Sequence, residues 1–569
     1  MSETPLRDKS DWDEVVDFAV VGSGAAGLTG ALVAADRGAR TLVIEKSSYY
    51  GGATAISGGA VWVPDNYLMD EIGVSDSLAE GLAYLEGATA GSSTPERLRA
   101  YLEEAPVMLQ SLAATSHVLF QPVPAYPDYY PEAEGGKAGG RTIEPALFNA
   151  TKLGAELANL RPGAQHRRFG FLTLMARDMG MLIAGGLPLY WKVFRDGLLY
   201  YGNLRARIRR LGNTRLTVGR SLIARLRLSL LERNVPLLLG TPLVELIEED
   251  GRVVGLLAER NGRPIKIRAE KGVLLAAGGF ERNAGLRQAH QAAPIGDTWT
   301  AGPESNTGDT IPIAQKLGAS FKLLDDAWWT PVLTPPGQPT WVMVIEKGLP
   351  NGMMVNDAGE RFMNEAAPYN DVVKAMYAAN SAETPCIPAH LIFDATFRAR
   401  YPVGGIAPSY AMPDRMLSPE LKEFMVRDRT LAGLARKIGV NPAGLEQTVE
   451  RFNQFAREGI DHDFGRGKSL HDRYYGDPRV DPNPCLGAIE KPPFYSIEVH
   501  PGDLGTKGGV VTDADARVMR GSEPIPGLYA AGNCSASVMG NTYPGAGGTI
   551  GPAMTFAWIA ARHATKSEA

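Results

Sequence analysis

Cysteine is scarce in this chain of 569 residues, which contains only Cys386, Cys485 and Cys534. The three lie far apart, and none has the paired spacing of a metal-binding motif. This pattern argues against a disulfide framework and against a zinc site, so we predict no bound metal. Unpaired cysteines are typical of a reducing compartment, and we therefore expect a cytoplasmic location.

Long apolar runs and electron-transfer motifs are also missing. No stretch reaches the length of about 18 apolar residues that a membrane-spanning helix requires. The first residues, MSETPLRDKSDWDEVV, are polar and acidic, so no signal peptide is expected. The chain has neither a CxxCH haem motif nor a cysteine cluster for an iron–sulfur centre. The net charge of −5 predicts no nucleic-acid partner.

Glycine, in contrast, is abundant at 65 residues, in a chain long enough for two or three domains. Asp17–Val21 predicts a short buried strand that runs into GSGAAG, with Gly22, Gly24 and Gly27 at GxGxxG spacing. An alanine-rich helix follows, and then a second strand that ends at Glu45. This order predicts a dinucleotide site, with a pyrophosphate at the helix N-terminus and Glu45 on the adenosine ribose.

A second glycine-rich segment indicates which dinucleotide binds. KSSYYGGATAISGGAVWVP, residues 46–64, resembles the FAD-binding signature of the fumarate reductase and succinate dehydrogenase flavoprotein superfamily. Two later segments, KGVLLAAGGFERN and PGLYAAGN, also resemble that superfamily. No histidine occurs at positions 54–57, so the resemblance implies FAD that is bound non-covalently. The cofactor-binding residues that it implies are Gly22, Ser23, Gly24, Ala26, Gly27, Glu45, Lys46, Gly52, Ala53, Thr54, Ser57, Gly58, Gly59, Ala277, Gly278, Gly279, Asn306, Asp309, Gly532, Asn533, Gly548, Thr549 and Ile550.

The resemblance also implies a domain organisation. The expected fold is α/β, with a Rossmann-like FAD-binding domain of the glutathione-reductase type that is discontinuous in sequence. Its two parts are predicted at residues 14–285 and 495–565. An α+β catalytic cap domain is predicted between them, at residues 290–490.

The loop GNTYPGAGGTIGPAM, Gly540–Met554, places one phenol among glycines before a predicted helix. In the superfamily this loop follows the flavin ring. The hydroxyl of Tyr543 and the N–H of Gly547 could therefore bind one carbonyl oxygen together, as an oxyanion hole does. A structural tyrosine packed under the loop is the alternative.

Two further tyrosine motifs narrow the resemblance. YPDYYPEAEGG begins at Tyr126, and GERFMNEAAPYNDVV contains Tyr369. Together with YPGAG, they make the chain similar to the 3-ketosteroid Δ1-dehydrogenases over nearly its full length. That family implies that Tyr369 removes a proton from C2 and that Tyr129 donates a hydrogen bond to it. Hydride then leaves C1 for FAD, Tyr543 and Gly547 hold the ketone oxygen, and Tyr126 lines the steroid channel.

Three alternatives stay open at this point. One is the sister activity, 3-ketosteroid Δ4-(5α)-dehydrogenation. Another is a fumarate reductase-like enzyme, which needs arginines to bind a dicarboxylate; no arginine occurs from Gly521 to Ala561. The third is a flavin-binding protein that transfers electrons without dehydrogenating a substrate.

Residues 161–215 form a basic and apolar insertion, with eleven Lys and Arg against two Asp. Trp, Tyr, Phe and Leu alternate there with arginine, which is typical of a segment at a membrane surface. We predict peripheral attachment to the membrane through residues of about 165–212, with the arginines toward anionic lipid, and a quinone as electron acceptor. A solvated subdomain or an oligomer contact is the alternative.

The remaining charged residues are predicted to have structural or solvent-exposed roles. His462 and His471 stand singly, and we interpret them as surface or structural residues. The charge-rich segment REGIDHDFGR, Arg457–Arg466, is predicted to be a solvated face.

Overall fold

The computed structural model of the protein describes residues 12–163, 170–204, 208 and 213–566. The strands in these residues are β1 Glu14–Val21, β2 Thr41–Ile44, β3 Val61–Trp62, β4 Phe120–Pro122, β5 Thr142–Pro145, β6 Phe148–Asn149, β7 Arg215–Leu216, β8 Leu237–Leu238, β9 Leu243–Glu249, β10 Arg252–Arg260, β11 Arg263–Leu275, β12 Phe321–Lys322, β13 Ala327–Leu333, β14 Trp341–Val342, β15 Gly352–Val355, β16 Ala389–Phe393, β17 Val426–Asp428, β18 Phe494–Thr506, β19 Gly509–Val510, β20 Arg517–Arg520 and β21 Glu523–Ala530.

The α-helices in the same residues are α1 Ala25–Asp36, α2 Leu78–Thr89, α3 Pro95–Thr115, α4 Met179–Ala184, α5 Gly186–Gly202, α6 Val218–Glu232, α7 Ala284–His290, α8 Thr310–Lys316, α9 Tyr369–Ala379, α10 Ala395–Arg400, α11 Pro419–Phe424, α12 Leu431–Ile438, α13 Pro442–Glu458, α14 Leu470–Tyr474 and α15 Ile550–Ala564. Within the described ranges, no helix combines the length and the apolarity needed to cross a bilayer.

The largest sheet has eight strands, in the order β20-β21-β11-β1-β2-β8; β10 also pairs with β11, and β9 pairs with β10. Strands β21, β11, β1, β2 and β8 run parallel, which requires crossover connections such as α1 between β1 and β2. The sheet therefore unites strands from the start of the chain with β20 and β21 from its end. This mixed α/β sheet fits the predicted Rossmann-like FAD-binding fold, and the predicted domain boundaries stay a prediction.

Helices α1 and α15 pack on one face of this sheet. Both are almost entirely buried and rich in alanine, and the small side chains let helix and sheet backbones approach closely. Their apolar core continues through α3 and α6 to the tyrosines of the predicted catalytic motifs. A separate cluster, which includes Val253 and Val273, covers the other face of the sheet.

A second sheet is antiparallel throughout, in the order β14-β13-β18-β16-β15, with β17 also paired to β18. Strand β18 is 13 residues long and carries the chain from this sheet back toward the cofactor segments. Helix α9 begins at Tyr369 and packs on β13. The second sheet thereby positions the start of α9.

One sequence-based interpretation is wrong. The segment Arg457–Arg466 is not a solvated face throughout, because Asp461 and Arg466 are buried. Asp461 pairs with Arg361 at 2.9 Å, and Arg466 pairs with Glu365 at 3.2 Å. Charge density along a sequence does not reveal partners that come from a hundred residues away.

Helix α5, in the basic apolar insertion, exposes most of its large apolar side chains to solvent. Its apolar side chains at positions 187, 190, 191, 194 and 198 are exposed, with Leu187 80% exposed. Its charged residues Lys192 and Asp196 are buried, whereas Arg195 is 48% exposed. Asp196 binds Arg215 at 3.1 Å, and Lys192 donates to the carbonyl of Thr173 at 2.8 Å.

The membrane attachment predicted for the insertion stays a prediction. Lys192 faces the protein, whereas the side chains of Arg177 and Arg195 are 53% and 48% exposed. The arginines at positions 167, 168, 205, 207, 209 and 210, on which the prediction also depended, lie outside the described residues.

Candidate active site

The first glycine loop lies between β1 and α1, as the sequence predicts. Gly22 has φ +106°, and a Cβ there would lie 2.3 Å from the carbonyl oxygen of Ala276. A Cβ on Gly27 would lie 1.9 Å from the oxygen of Gly22. These two glycines are therefore required by the turn and by close packing of helix against strand.

The polar residues of this loop form one network. Ser23 donates from its backbone N–H and its hydroxyl to Oε2 of Glu45, at 3.1 and 2.6 Å. The N–H of Ala25, in the first turn of α1, donates to Oγ1 of Thr54 at 3.2 Å. Glu45 at the end of β2 and Thr54 in the second glycine segment thus meet at the N-terminus of α1.

Other glycines leave open space, which is the feature that a bound dinucleotide needs. A Cβ on Gly58 would meet nothing within 4 Å, and one on Gly24 would meet only Thr54, at 3.9 Å. Gly52 faces Gly24, with 3.4 Å from its built Cβ to the Cα of Gly24. Close packing on one side and open space on the other fit the phosphate end of FAD.

The remaining predicted cofactor residues fall into three groups. Lys46 donates to Oδ2 of Asp309 at 2.6 Å. Asn306 packs against Gly278 and donates to Oε1 of Glu281 at 2.7 Å. The others lie at these positions: Ala26 in α1, Ala53, Ser57 and Gly59 in the second glycine segment, Ala277 and Gly279 after β11, Gly532, Asn533, Gly548 and Thr549 between β21 and α15, and Ile550 at the start of α15.

Glu281, which the sequence did not single out, is the most unusual neighbour of these residues. Its carboxyl is fully buried, and Oε2 has no hydrogen-bond partner among the described residues. Burial raises the pKa of Glu281 to about 7, and the nearby charge of Asp503 acts in the same direction. An unpartnered polar atom at the cofactor segments is consistent with a ligand there.

Three of the predicted catalytic tyrosines meet in one buried cluster. The hydroxyl of Tyr129 donates to that of Tyr369 at 2.7 Å. The ring of Tyr543 lies 5.3 Å from the ring of Tyr369 and 5.2 Å from that of Tyr129. Motifs more than 170 residues apart in sequence are thereby brought into contact.

Hydrogen bonds fix the loop that carries Tyr543. The carbonyl of Pro544 accepts from the N–H of Tyr129 at 2.9 Å and from the hydroxyl of Tyr84 at 2.5 Å. Thr549 donates its hydroxyl to Oη of Tyr543 at 3.1 Å, which leaves the phenolic hydrogen of Tyr543 free to donate elsewhere. Gly547 has φ +100°, and a Cβ there would lie 2.6 Å from the backbone of Ala60.

The electrostatics of the cluster favour neutral phenols. Burial raises the pKa of Tyr369 well above its ordinary value, and the phenols of Tyr543 and Tyr126 act in the same direction. The hydrogen bond from Tyr129 opposes this rise, because it stabilises a phenolate on Tyr369. Among the described residues, the hydroxyls of these four tyrosines bond to other tyrosines and to Thr549.

Comparison with known proteins agrees with this geometry. A family model described as "FAD binding domain" matches residues 17–550, which identifies FAD as the cofactor. The chain is 45% identical over 560 residues to the 3-oxosteroid 1-dehydrogenase of Mycobacterium tuberculosis, covering 96% of this chain and 98% of that protein. The chain belongs to the 3-oxosteroid 1-dehydrogenase family.

Solved structures agree with this membership. The 3-ketosteroid Δ1-dehydrogenase of Sterolibacterium denitrificans, solved with 1,4-androstadiene-3,17-dione, matches with a TM-score of 0.93 and 45% identity, covering 97% of this chain and 99% of that one. The 3-ketosteroid Δ4-(5α)-dehydrogenase of Rhodococcus jostii matches with a TM-score of 0.67 and 22% identity, covering 98% and 99%. The second likeness extends to the fold alone.

In this member of the 3-oxosteroid 1-dehydrogenase family, Tyr126 lies at the edge of the tyrosine cluster. Its hydroxyl contacts that of Tyr475, and its ring packs against Tyr474 at 4.7 Å. His471 is buried, as a structural residue is, and lies 5.0 Å from the ring of Tyr129. His471 lies in α14, and Tyr475 directly follows this helix. The sequence predicted no role at the site for either residue.

Two further residues that the sequence analysis missed complete the surroundings. The ring of Trp328 packs against Tyr543 at 4.8 Å, and its Nε1 donates to Oδ1 of Asn533 at 3.2 Å. Lys507 lies under Trp328, with Nζ 4.9 Å from the ring centre. Neither residue has a sequence pattern that marks it: Lys507 lies in the segment DLGTKGG, residues 503–509, which does not indicate that its lysine is buried.

Proposed function

We propose that the protein oxidises 3-ketosteroids by removing hydrogen from C1 and C2, with non-covalently bound FAD as the acceptor. The observation that carries this proposal is the hydrogen-bonded pair of Tyr129 and Tyr369 packed against Tyr543. No arginine among the described residues forms a hydrogen bond with these phenols, which suits a neutral ketone better than a dicarboxylate. Membership of the 3-oxosteroid 1-dehydrogenase family supports the same substrate class.

Each tyrosine has a distinct role in the proposed reaction. Tyr543 and the N–H of Gly547 donate hydrogen bonds to the C3 ketone oxygen, where negative charge develops as C2 loses its proton. Tyr369 takes that proton as a phenolate, and Tyr129 stabilises the phenolate by donating to it. The double bond forms between C1 and C2 as hydride leaves C1. FAD, when bound, supplies the hydride acceptor.

The cofactor residues would hold FAD at its two ends. Gly24, Gly52 and Gly58 leave room for the pyrophosphate, and Glu45 is available to the ribose. At the start of α15 the N–H of Gly551 donates to the carbonyl of Gly547 at 2.9 Å, and Pro552 has no N–H. It is therefore the positive end of the helix dipole that would favour negative charge at the flavin end. A quinone is the proposed acceptor that reoxidises the protein.

Anaerobic mixing tests this function. The yellow protein is combined with 4-androstene-3,17-dione, the flavin absorbance is followed, and the product is identified by mass and NMR. We expect bleaching and formation of 1,4-androstadiene-3,17-dione. Bleaching only with a saturated 5α-3-ketosteroid would instead indicate Δ4-dehydrogenation. Oxidation of a reduced dye by fumarate, with formation of succinate, would indicate a fumarate reductase, and no response to any substrate would favour electron transfer alone.

We also propose that helix α5 attaches the protein to a membrane surface. Its exposed side chains Leu187, Trp191, Phe194 and Leu198 recur every three or four residues and so share one face. Lys192 and Asp196 of the same helix are paired inside the protein, and Arg195, 48% exposed, is the charged side chain of the helix that remains at the surface beside this face. A steroid that partitions into lipid would then reach the enzyme at the surface of the bilayer.

Vesicle sedimentation tests the attachment. The double variant Trp191→Ser/Phe194→Ser should bind vesicles of phosphatidylcholine and phosphatidylglycerol at least about tenfold more weakly, since about 1.4 kcal/mol of lost apolar burial corresponds to that factor. The matched control Val107→Ser/Ile460→Ser removes exposed apolar side chains elsewhere and should leave binding unchanged. Equal binding by all three proteins would refute the role of α5.

A further inference from the structure

Lys507 is a fully buried cation at the point where three parts of the site meet. It follows β18, and its ammonium lies 3.2 Å from Oδ2 of Asp326 and 3.4 Å from Oδ1 of Asn370. The same ammonium lies 4.9 Å from the centre of the Trp328 ring, within the range of a cation–π contact. Its partners come from β13, from α9 and from the residue before β13.

The residues that Lys507 contacts adjoin predicted catalytic and cofactor residues. Asn370 is fully buried and follows Tyr369 in the first turn of α9. Trp328 packs on Tyr543 and donates to Asn533. Lys507 itself lines a narrow cavity together with Asn533 and Thr549, which are predicted cofactor residues.

The charge of Lys507 is only partly balanced. A buried ammonium is costly unless it is paired. Its one carboxylate partner, Asp326, also accepts from Nε1 of Trp329 at 2.6 Å and from the N–H of Ala327 at 2.8 Å. Burial lowers the pKa of Lys507 to about 8, with Asp326 opposing, so the side chain is still mostly a cation at neutral pH.

Because Asp326 also accepts hydrogen bonds from other groups, part of the positive potential of Lys507 reaches the adjoining cavity. Arg97 lines the same cavity, buried, with its Nη2 on the carbonyl of Ala536 at 2.9 Å. The N-terminal end of α15, with Thr549 and Pro552 in the lining, adds the positive end of a helix dipole. Two buried cations and a helix N-terminus thus surround one cavity beside the cofactor segments.

We propose that Lys507 is a positioning residue for the oxidation of the ketone: it aligns Tyr369 through Asn370 and Tyr543 through Trp328, and its charge favours the reduced state of the FAD that these segments bind. The alignment of the two tyrosines by Lys507 rests on the proposed function, whereas the effect of its charge concerns the cofactor alone. The two effects are therefore measured separately.

The variant Lys507→Met, loaded with FAD, tests the charge. It keeps the length of the side chain and removes the ammonium. Anaerobic equilibration with a reference dye should show the oxidised-to-reduced equilibrium of the flavin shifted at least tenfold toward the oxidised form, a potential about 30 mV more negative for two electrons. Lys507→Arg retains the charge and should stay within twofold of the wild-type equilibrium.

Lys347→Met provides the matched control. Lys347 is also fully buried, but its ammonium binds the carbonyls of Glu365 and Ala367, and it does not line the cavity. Its replacement should leave the flavin equilibrium unchanged. Where Lys507→Met fails to retain FAD, Lys507→Gln, which is polar and uncharged, serves in the same comparison.

The outcomes separate this proposal from the proposed function. An unchanged flavin equilibrium in the uncharged variants, or an equal shift in Lys507→Arg, would overturn the role of the charge. With 4-androstene-3,17-dione, kcat should fall at least tenfold in Lys507→Met with little change in KM, because the chemical step is affected more than binding. A wild-type protein that oxidises no ketosteroid would refute the proposed function and leave the potential comparison intact.

Discussion

Replacing Tyr369 with phenylalanine should lower kcat for 4-androstene-3,17-dione by about 10²- to 10⁴-fold, the factor that a positioned general base contributes. Phenylalanine keeps the ring and therefore the edge contacts with Tyr129 and Tyr543. The lost oxygen leaves the hydroxyl of Tyr129 without its acceptor, at a cost of about 1–3 kcal/mol. The protein should consequently fold and remain yellow while it loses turnover.

The pH dependence provides an independent signature of the same residue. The pKa of Tyr369 is raised above its ordinary value of 10.0 by burial, so only a small phenolate fraction exists near neutral pH. Raising the pH increases that fraction, and kcat/KM should therefore rise with pH up to at least about 10. In Tyr369→Phe this rise should vanish from the residual rate. The measurement is kcat/KM from steady-state assays at saturating acceptor, over a range of roughly pH 6–10.

A tyrosine on the same helix provides the control. Tyr377 lies two turns beyond Tyr369 in α9, and its hydroxyl donates to the carbonyl of Pro294 at 3.1 Å, away from the tyrosine cluster. Tyr377→Phe should retain kcat within about threefold, since a single exposed hydrogen bond contributes about 0.5–1.5 kcal/mol. Normal turnover by Tyr369→Phe would exclude it as the base, and an equal loss in both variants would indicate a general effect on α9.

The nucleotide half of the site could be predicted from sequence because its determinants are local. The strand, the glycine turn, the helix and Glu45 occur within 32 residues of one another, and each has its own pattern. The structure follows that order closely: β1 ends at Val21, and α1 begins at Ala25. The positive φ of Gly22, +106°, is a property of the turn itself, so a local sequence pattern records it.

The tyrosine cluster was predictable only by resemblance, and its surroundings were not predictable at all. Trp328, Lys507 and Tyr475 have no local pattern that distinguishes them from core or surface residues. Their roles depend on β13, β18 and α14 converging from distant parts of the chain. Helix α5 shows the same limit, because its composition indicated an apolar basic segment without revealing that Lys192 and Asp196 face inward.

Glu365→Gln should destabilise the protein by about 3–5 kcal/mol, because it breaks a buried ion cluster and leaves guanidinium charge uncompensated. Both side chains of the Glu365–Arg361 pair are almost fully buried, with contacts at 2.7 and 2.8 Å. Arg466 adds a contact at 3.2 Å, and the N–H of Met354 donates at 3.1 Å. Burial acts to raise the pKa of Glu365, but the two arginines outweigh it and hold the pKa below its usual range.

The location of this cluster couples stability to catalysis, since Glu365 lies four residues before Tyr369. A chain of this size need not unfold in two states, so the first cooperative transition in urea is the appropriate measurement. Because the folded-state pKa is lowered, the stabilisation by Glu365 is present above its unfolded pKa of about 4.3 and is lost as pH falls further. In Glu365→Gln that acid dependence should weaken, and kcat should fall with the loosened segment.

The exposed pair of Glu490 and Arg457, at 2.9 Å, is the matched control for this loss. Glu490→Gln should change stability by less than about 1 kcal/mol, because solvent already screens the pair. A comparable loss in both variants would mean that the cost comes from the change of charge alone. A small loss in Glu365→Gln would mean that Asp461, which also binds Arg361 at 2.9 Å, is sufficient to neutralise the cluster.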